Sequence, residues 1–501
     1  MDVQVRAGEL LDGSDGDGGD HHSKFAAGVS GKGIQVNQQN TYADFLASKR
    51  RTVKPCGFSI PTGHLNDKLF PWQADIVRWA LRVGRCDLFE QPGLGKTIQQ
   101  LVWAENVIVS SNIKRLLLLC PLAVAQQTRR EAEKFGIKVF TQVCREQKEV
   151  TRGITITNYE RLHKFDTSQF DAVVLDESSI LKGLSSKTRA AITDSLDHCR
   201  FKLPCTATPA PNDYMELGNH AEFTGVMSRT EMLSMFFVHD SGDTAKWRLR
   251  GHAEDAFWRW MGEWSVMIRR PSDLGYPDEG FALPPLHIHE TAVENDLKQE
   301  GFLFAMPAST LGERRSARRH STEDRVAEAA ALANADKSRP FLCWCDLNLE
   351  SEALAKAIPD AIEVRGSDSM EEKEAALEGF STGKIRVLVT KPSIAGFGMN
   401  WQHCSDMAFV GLSDSFEQFF QAIRRCWRFG QTRPVNVHVI TSELEGAVVD
   451  NIKRKEADAE RMIDAMVRNM ADITAANIKG STRLSTPYNP EKKMELPRWI
   501  A

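Results

Sequence analysis

Six short apolar runs most constrain what this chain can fold into. Each is four to six residues long, and they occupy positions 116–120, 172–175, 341–344, 385–390, 407–410 and 435–440. Runs of this length are typical of strands buried on both faces, as in a parallel sheet covered by helices on either side. We therefore expect an α/β chain with two parallel-sheet units, at about 67–225 and about 335–445.

Composition excludes several classes of protein. The 501 residues are 42% hydrophobic and 26% charged, which is ordinary for a globular chain. The formal net charge is −4, so any nucleic acid must be bound by local basic surface. Ten cysteines without a CxxC pair indicate reduced thiols and no zinc site. No apolar stretch approaches the ~18 residues needed to cross a membrane, and the N-terminus does not resemble a signal peptide.

The chain divides into five segments by composition. Residues 226–310 are rich in tryptophan, and Phe257, Trp260 and Trp264 fall at helical spacing. An amphipathic helix with its own small core is favoured there over a base-stacking platform. The five predicted segments are a disordered acidic, Gly-rich tail (1–40), a first α/β unit (41–225), a helical Trp-rich insertion (226–310), a second α/β unit (311–445), and a helix with a polar tail (446–501). A basic cluster at 314–319, which could contact phosphate, precedes the second unit's first strand.

The segment Pro92-Gly93-Leu94-Gly95-Lys96-Thr97 has the pattern of a phosphate-binding loop. Glycines let successive N–H groups point at phosphate oxygens, and the following helix presents its positive end to the same anion. Lys96 would reach the β- and γ-phosphates, and the Thr97 hydroxyl would bind Mg²⁺. The full pattern, GxxxxGK[ST], has Gly where this chain has Glu90. A helix-capping glycine before a lysine is the alternative interpretation.

A second motif lies in the same unit. The run 172–175 ends in Asp176-Glu177. Asp176 at a strand tip can hold Mg²⁺, and Glu177 is placed to orient or deprotonate an attacking water. An acidic helix cap is the alternative, but a phosphate loop and an acidic strand end seldom occur together by chance.

These motifs resemble those of superfamily-two helicases and translocases, specifically the Swi/Snf branch, from about Leu69 to about Lys455. The resemblance implies two tandem RecA-like lobes with ATP and Mg²⁺ between them. Gln73 is similar to the residue that reads adenine, and Thr206 and Thr208 resemble motif III, which couples hydrolysis to movement. Positions similar to nucleic-acid contacts are Pro121 in motif Ia, Tyr159, Lys182, Arg269 and Arg270.

The second lobe carries two further motifs. Residues 395–400, which include Gly398 as an ATP-binding candidate, resemble motif V, and residues 421–431 resemble motif VI. Arg425 and Arg428 are three apart, which predicts that they share one helix face and point across the cleft at the γ-phosphate. Guanidinium groups at that position increase the rate by ~10³–10⁵. Gln421 completes the predicted catalytic set.

Two positions depart from the family pattern. Ser179 stands where motif II of the branch has His, and Trp427 stands where motif VI has His. Hydrolysis needs only Asp176 and Glu177, so we expect activity to survive. The change at Ser179 puts in doubt how strongly ATP hydrolysis is coupled to motif III.

Taken together, the sequence predicts a DNA-stimulated ATPase that translocates on duplex DNA. Two alternatives stay open at this point: a strand-separating helicase acting on DNA or RNA, and a nucleotide-gated binding protein with weak hydrolysis. Single-stranded DNA and RNA therefore remain candidate partners. The compact organisation favours a monomeric motor in the cytoplasm of a bacterial or phage-infected cell.

Overall fold

The computed structural model describes ten stretches of the chain: residues 53–61, 63–183, 186–210, 213–240, 243–293, 319, 321–396, 399–413, 415–442 and 446–478. The predicted tail at 1–40 lies outside these residues, as does the basic cluster except for Arg319. Among the described helices, none is both long and apolar enough to cross a membrane.

Seven parallel strands form the first sheet. They are β1 (Asp87–Glu90), β2 (Arg115–Cys120), β3 (Thr141–Val143), β4 (Gly153–Asn158), β5 (Ala172–Asp176), β6 (Phe201–Thr206) and β9 (Ser265–Ile268). The strand order is β3-β4-β2-β5-β6-β1-β9. The central strands are buried on both faces, because apolar side chains fill two cores, one on each side of the sheet.

Six α-helices of this first lobe lie within the described residues. They are α1 (Pro71–Val83), α2 (Lys96–Ser111), α3 (Ala125–Phe135), α4 (Ile180–Gly183), α5 (Ser186–Ser195) and α6 (Leu217–Thr224). Pro71 occupies the first turn of α1, where its missing N–H costs no hydrogen bond. Helix α1 ends at Val83 and is capped by Gly84, whose φ of 84° suits glycine.

The Trp-rich region contains strands as well as helices. Helix α7 (Arg229–Phe236), strand β7 (Phe237–Asp240), strand β8 (Asp243–Leu249) and helix α8 (Glu254–Trp264) follow one another, and β7 pairs with β8 antiparallel. The amphipathic helix predicted around Trp264 is present as α8. Its core is not a separate one, however, because Trp258 and Trp264 share a cluster with Phe89 of β1. Both indole rings are buried, so they offer no base-stacking platform.

The second sheet has six parallel strands. They are β10 (Leu286–Val293), β11 (Phe341–Trp344), β12 (Ala361–Glu363), β13 (Val387–Thr390), β14 (Asp406–Phe409) and β15 (Val435–Ser442), in the order β10-β15-β14-β11-β13-β12. Around it lie α9 (Thr322–Ala335), α10 (Asn348–Ala357), α11 (Met370–Ser381), α12 (Pro392–Ala395) and α13 (Phe416–Ile423). The segment 226–310, which the sequence predicts to be a helical insertion, thus supplies an edge strand to each sheet, β9 to the first and β10 to the second.

The long helix α14 (Gly446–Ile478) follows the second sheet and returns to the first lobe. Asn477 Nδ2 donates to the Gly262 carbonyl of α8 at 2.7 Å, and Arg82 of α1 donates to the Asn477 carbonyl at 2.6 Å. Arg269 forms an ion pair with Asp464. The two parallel sheets confirm the predicted pair of α/β lobes, and α14 fastens one to the other.

Candidate active site

A cleft of about 400 Å³ lies between the two lobes. The first lobe lines it with residues that follow β1 and β5, because the carboxyl ends of parallel strands meet at one edge of a sheet. The second lobe contributes residues of motifs V and VI. The predicted site residues on its walls are Gln73, Gly93, Gly95, Lys96, Thr97, Asp176, Glu177, Arg425 and Arg428.

The phosphate loop has a backbone that only glycine adopts without strain at two positions. Gly93 has φ of 96° and Gly95 has φ of 77°. A Cβ on Gly93 would lie 2.8 Å from the backbone nitrogen of Phe429, so the loop touches the second lobe at this point. Helix α2 begins at Lys96, and Lys96 Nζ donates to the Glu90 carbonyl at 2.8 Å. This cradle of N–H groups and one ammonium fits a triphosphate.

Glu90 is a site residue that the sequence did not single out. Its side chain is fully buried beneath the loop, and its carboxylate accepts a hydrogen bond from Gln99 Nε2 at 2.8 Å. Burial raises the pKa of Glu90 to about 7, although the Lys96 charge and the Gln99 amide oppose the rise. Its position in place of the first glycine of the phosphate-loop pattern was the available indication.

The acidic strand end lies opposite the loop. Asp176 Oδ1 accepts a hydrogen bond from Gln100 Nε2 at 2.8 Å. Burial and the adjacent Glu177 carboxylate raise the pKa of Asp176, and a cation bound beside it would favour its ionised form. Glu177 has φ of 53°, in the left-handed region that costs energy for a residue with a side chain. Asp176 and Thr97 share the cleft, and their carboxylate and hydroxyl oxygens are of the kind that Mg²⁺ prefers as ligands.

Tyr159 supports this strand end from behind. It is buried, and its hydroxyl donates to the Asp176 carbonyl at 2.8 Å. The side chain is therefore held inside the first lobe beside the acids, and the nucleic-acid contact expected from the sequence stays a prediction.

The end of the cleft at which the sequence places the base is bounded by Gln73 and the rings of Phe70, Phe281 and Phe429. Gln73 Oε1 accepts from the Phe70 N–H at 3.0 Å, and its Nε2 donates to the Leu94 carbonyl at 2.7 Å. Each atom of the amide keeps one further hydrogen-bonding position. The rings of Phe281 and Phe429 stack at 4.9 Å, and Phe70 meets Phe281 edge-on. Phe281 comes from the connection between the lobes, where no motif marked it in advance.

The two motif VI arginines reach the cleft by a route that differs from the prediction. Helix α13 ends at Ile423, so Arg425 and Arg428 do not share a helix face. They converge because both donate to the Met399 carbonyl, at 3.3 and 3.1 Å. Arg425 also donates to the Gln421 carbonyl at 2.8 Å and to Gln421 Oε1 at 3.0 Å.

Charge within the cleft is balanced across the lobes. Burial and the neighbouring Arg428 lower the pKa of Arg425 to about 10, while Glu177 and Asp176 act in the opposite direction. The group therefore remains a cation at neutral pH. The attraction between carboxylates of one lobe and guanidiniums of the other favours a closed cleft.

Motif III connects directly to motif VI. The Thr208 N–H donates to Thr206 Oγ1 at 3.2 Å, which fixes the loop after β6. The Thr208 hydroxyl donates to Glu417 Oε1 at 3.2 Å and accepts from Gln421 Nε2 at 3.5 Å. Glu417 is an interlobe residue that the sequence did not indicate. The Thr208 hydroxyl thus joins the first lobe to two residues of the second.

The two departures from the family pattern have defined surroundings. Ser179 is buried, and the neighbouring Ser178 N–H donates to the Cys205 carbonyl at 2.9 Å, which links the acidic strand end to β6 through the backbone. Trp427 Nε1 donates to the Pro284 carbonyl at 2.7 Å, and the Arg424 guanidinium lies over its ring. Trp427 therefore joins motif VI to the connection between the lobes.

The remaining candidates do not form one surface. Pro121 is half-buried at the end of β2, whereas Arg269 and Arg270 follow β9, beyond the phosphate loop at the far edge of the sheet. Arg269 pairs with Asp464, and Arg270 is exposed beside two aspartates. Gly398 and the side chain of Lys182 lie outside the described residues.

Comparisons with known proteins agree with this geometry. Residues 72–232 match the SNF2-related domain, and residues 335–430 match the helicase conserved C-terminal domain. Protein p41 of Acyrthosiphon pisum secondary endosymbiont phage 1 is 25% identical over 466 residues, which cover 79% of this chain and 98% of p41.

Two mouse proteins are also similar. The DNA annealing helicase and endonuclease ZRANB3 is 23% identical over 89% of this chain and 42% of its own length. The DNA repair and recombination protein RAD54B is 30% identical over 30% of this chain and 20% of its own length. The chain thus spans less than half of these two relatives. With both domains matched and the motifs gathered in one cleft, the chain belongs to the Swi/Snf branch of superfamily-two helicases and translocases.

Proposed function

We propose that the protein is an ATP-dependent motor that moves along duplex DNA and hydrolyses ATP in the cleft between its lobes. One observation carries the proposal: Arg425 and Arg428 of the second lobe line the same cleft as Lys96, Asp176 and Glu177 of the first. Each lobe supplies half of a phosphoryl-transfer site, so hydrolysis depends on how the lobes are placed.

The roles of the residues follow from their chemistry. The loop N–H groups and Lys96 bind and orient the triphosphate. Glu177 orients the attacking water and accepts its proton. Arg425 and Arg428 offset the negative charge that develops on the transferred phosphoryl group. Mg²⁺, held by Thr97 and Asp176, would neutralise phosphate charge when bound.

Movement would follow from the contacts between the lobes. Nucleotide binding adds phosphates between Lys96 and the arginines, which favours closure, and loss of the γ-phosphate weakens it. The Thr208 hydroxyl, shared by Glu417 and Gln421, would carry this change from motif III to motif VI. Alternating grip by the two lobes would then convert closure into stepping.

Duplex DNA is favoured as the track. The printed names of ZRANB3 and RAD54B describe DNA annealing and DNA repair, and the matched first domain is the SNF2-related one. The similarity to a phage protein supports a setting in a bacterial or phage-infected cell. We take the working unit to be a monomer, because both halves of the cleft come from one chain.

Translocation is tested by displacement of a fluorescent third strand from a DNA triplex. We expect displacement that requires ATP and is lost in Lys96→Ala. A parallel assay with labelled DNA and RNA duplexes measures strand separation. Efficient unwinding of either duplex, without triplex displacement, would replace the proposed activity by that of a strand-separating helicase.

A further inference from the structure

An acidic helix of the second lobe lies against the first lobe beside the site. Helix α11 carries Glu371, Glu374 and Glu378 at spacings of three and four, which places them on one stripe. The helix contacts the short turn Leu122–Val124, immediately after Pro121 of motif Ia. It therefore lies at the same edge of the first sheet as the ATP cleft, beyond the ends of β2 and β4.

Three arginines of the first lobe face this stripe from three separate elements. Arg130 lies on α3, Arg145 follows β3, and Arg161 lies in the 3-10 turn after β4. They come from sequence positions up to 31 residues apart, so no single helix or strand brings them together. Their common neighbour is α11.

The ion pairs cross between the lobes. Arg145 Nη1 lies 3.5 Å from Glu371 Oε1, and Arg161 Nη2 lies 3.6 Å from the same oxygen. Arg161 Nη1 lies 3.6 Å from Glu374 Oε1. Arg130 pairs with Glu378.

The contacts of Arg145 and Arg161 are loose for pairs of opposite charge, whereas Arg130 donates a direct hydrogen bond to Glu378. A tight guanidinium–carboxylate hydrogen bond has an N···O distance of about 2.7–2.9 Å, so the two pairs of Arg161 do not reach that geometry. The Arg161 side chain is only 6% exposed, which makes a dedicated anionic partner necessary. Burial raises the pKa of Glu374, with Arg161 and Arg145 opposing the rise, so this carboxylate is not in its preferred surroundings either. A better anion would be accepted at this position.

We propose that Arg130, Arg145 and Arg161 form a docking strip for the phosphodiester backbone of DNA, and that the carboxylates of α11 cover this strip when DNA is absent. A row of phosphates matches three guanidiniums in charge, and arginine binds phosphate as well as it binds carboxylate. DNA would have to displace the carboxylates of α11 from these arginines. The inference rests on the proposed function, because it takes the DNA of that proposal as the ligand.

The first test measures the affinity of a fluorescent duplex for the full chain by anisotropy, across a salt series and without nucleotide. We expect the variant with Arg130→Gln, Arg145→Gln and Arg161→Gln to bind at least tenfold more weakly. Its slope of log K against log salt should fall by up to about 3, since each lost phosphate contact removes about 0.9. Arg129→Gln is the matched control, because Arg129 lies on the same helix and pairs with Glu133 within it.

The second test removes the α11 carboxylates that are proposed to compete with DNA for the arginines. Glu371→Gln, Glu374→Gln and Glu378→Gln together should tighten binding about threefold or more, because the uncovered strip no longer has to be opened. A charge-matched control removes three acids elsewhere on the same lobe, with Glu323→Gln, Asp324→Asn and Glu352→Gln. Equal tightening in both triple variants would show that net charge alone acts, and would overturn the proposed cover.

Folding and the proposed function are checked separately. Thermal unfolding is measured for every variant, and if the buried Arg161 proves necessary for folding, the double variant at the exposed Arg130 and Arg145 takes its place. Wild-type protein that binds DNA and is stimulated by it, together with arginine variants of unchanged affinity, would overturn the strip and leave the motor intact. Wild-type protein with no response to DNA would overturn both.

Discussion

The hydrogen bonds of Arg425 and Arg428 predict different consequences for the same substitution. Arg425 donates three hydrogen bonds within its own lobe, whereas Arg428 donates one, to the Met399 carbonyl. A lysine at either position can keep one of these hydrogen bonds and loses the others. At about 1.5–3 kcal/mol for each lost bond from a charged donor, the two bonds lost in Arg425→Lys should cost about 3–6 kcal/mol of folding free energy, and Arg428→Lys should cost less than about 1 kcal/mol.

Both substitutions remove a planar guanidinium from the cleft. Loss of such a group lowers turnover by ~10³–10⁵, which corresponds to about 4–7 kcal/mol of transition-state stabilisation. We therefore expect Arg428→Lys to lose at least ~10³ in kcat while its Tm stays near that of the wild type. Arg425→Lys should lose turnover and also unfold several degrees lower.

The assay combines steady-state ATP hydrolysis with calorimetric unfolding. Arg433→Lys is a suitable control, because Arg433 lies in the same lobe, donates to the His403 carbonyl and does not line the cleft. ATP hydrolysis by Arg428→Lys within tenfold of the wild type would refute the assignment of Arg428. A loss of turnover that only parallels a loss of folded protein would refute it as well.

Four further outcomes follow from the site. Lys96→Ala should abolish hydrolysis, which a single-turnover assay measures. Glu177→Gln should bind ATP in a filter-binding assay without hydrolysing it. Rapid hydrolysis by either variant would contradict the roles of Lys96 in phosphate binding and of Glu177 in activating water. Because burial raises the pKa of Glu90 from 4.5 to about 7, the folded state holds this proton more tightly, so its contribution to stability falls as pH rises from about 4.5 to about 7. Glu90→Gln should remove that dependence and gain about 1–3 kcal/mol at pH 8 relative to the wild type, measured as free energy of unfolding at pH 5 to 8; an unchanged pH profile argues against it. Phe281→Ala should weaken ATP binding about tenfold, since it removes a ring from the base end of the cleft, while inhibition by inorganic tripolyphosphate stays the same. Equal weakening of both ligands would place Phe281 outside the base site.

The parts of the fold that sequence could predict are those set by local pattern. The apolar run at 116–120 became β2, and the run at 172–175 became β5, because strands buried on both faces leave a continuous apolar signature. The acids at the end of β5 and the loop after β1 must then lie close together, since parallel strands end at the same edge of the sheet.

The parts that could not be predicted depend on long-range contacts. Arg425 reaches the cleft through Met399 and not through a helix face, and nothing near position 425 in the sequence encodes that carbonyl. Tyr159 is drawn inward by the Asp176 carbonyl, and Phe281 meets Phe429 only because the connection between the lobes passes the site. The return of α14 to the first lobe likewise depends on packing against α8, which no local pattern of 446–478 specifies.

ATP turnover measured with and without duplex DNA tests the central claim most directly. We predict hydrolysis that rises severalfold with duplex DNA, that responds less to RNA, and that disappears in Lys96→Ala. Turnover that is insensitive to duplex DNA, single-stranded DNA, branched DNA and RNA would contradict a DNA-driven motor in this cleft.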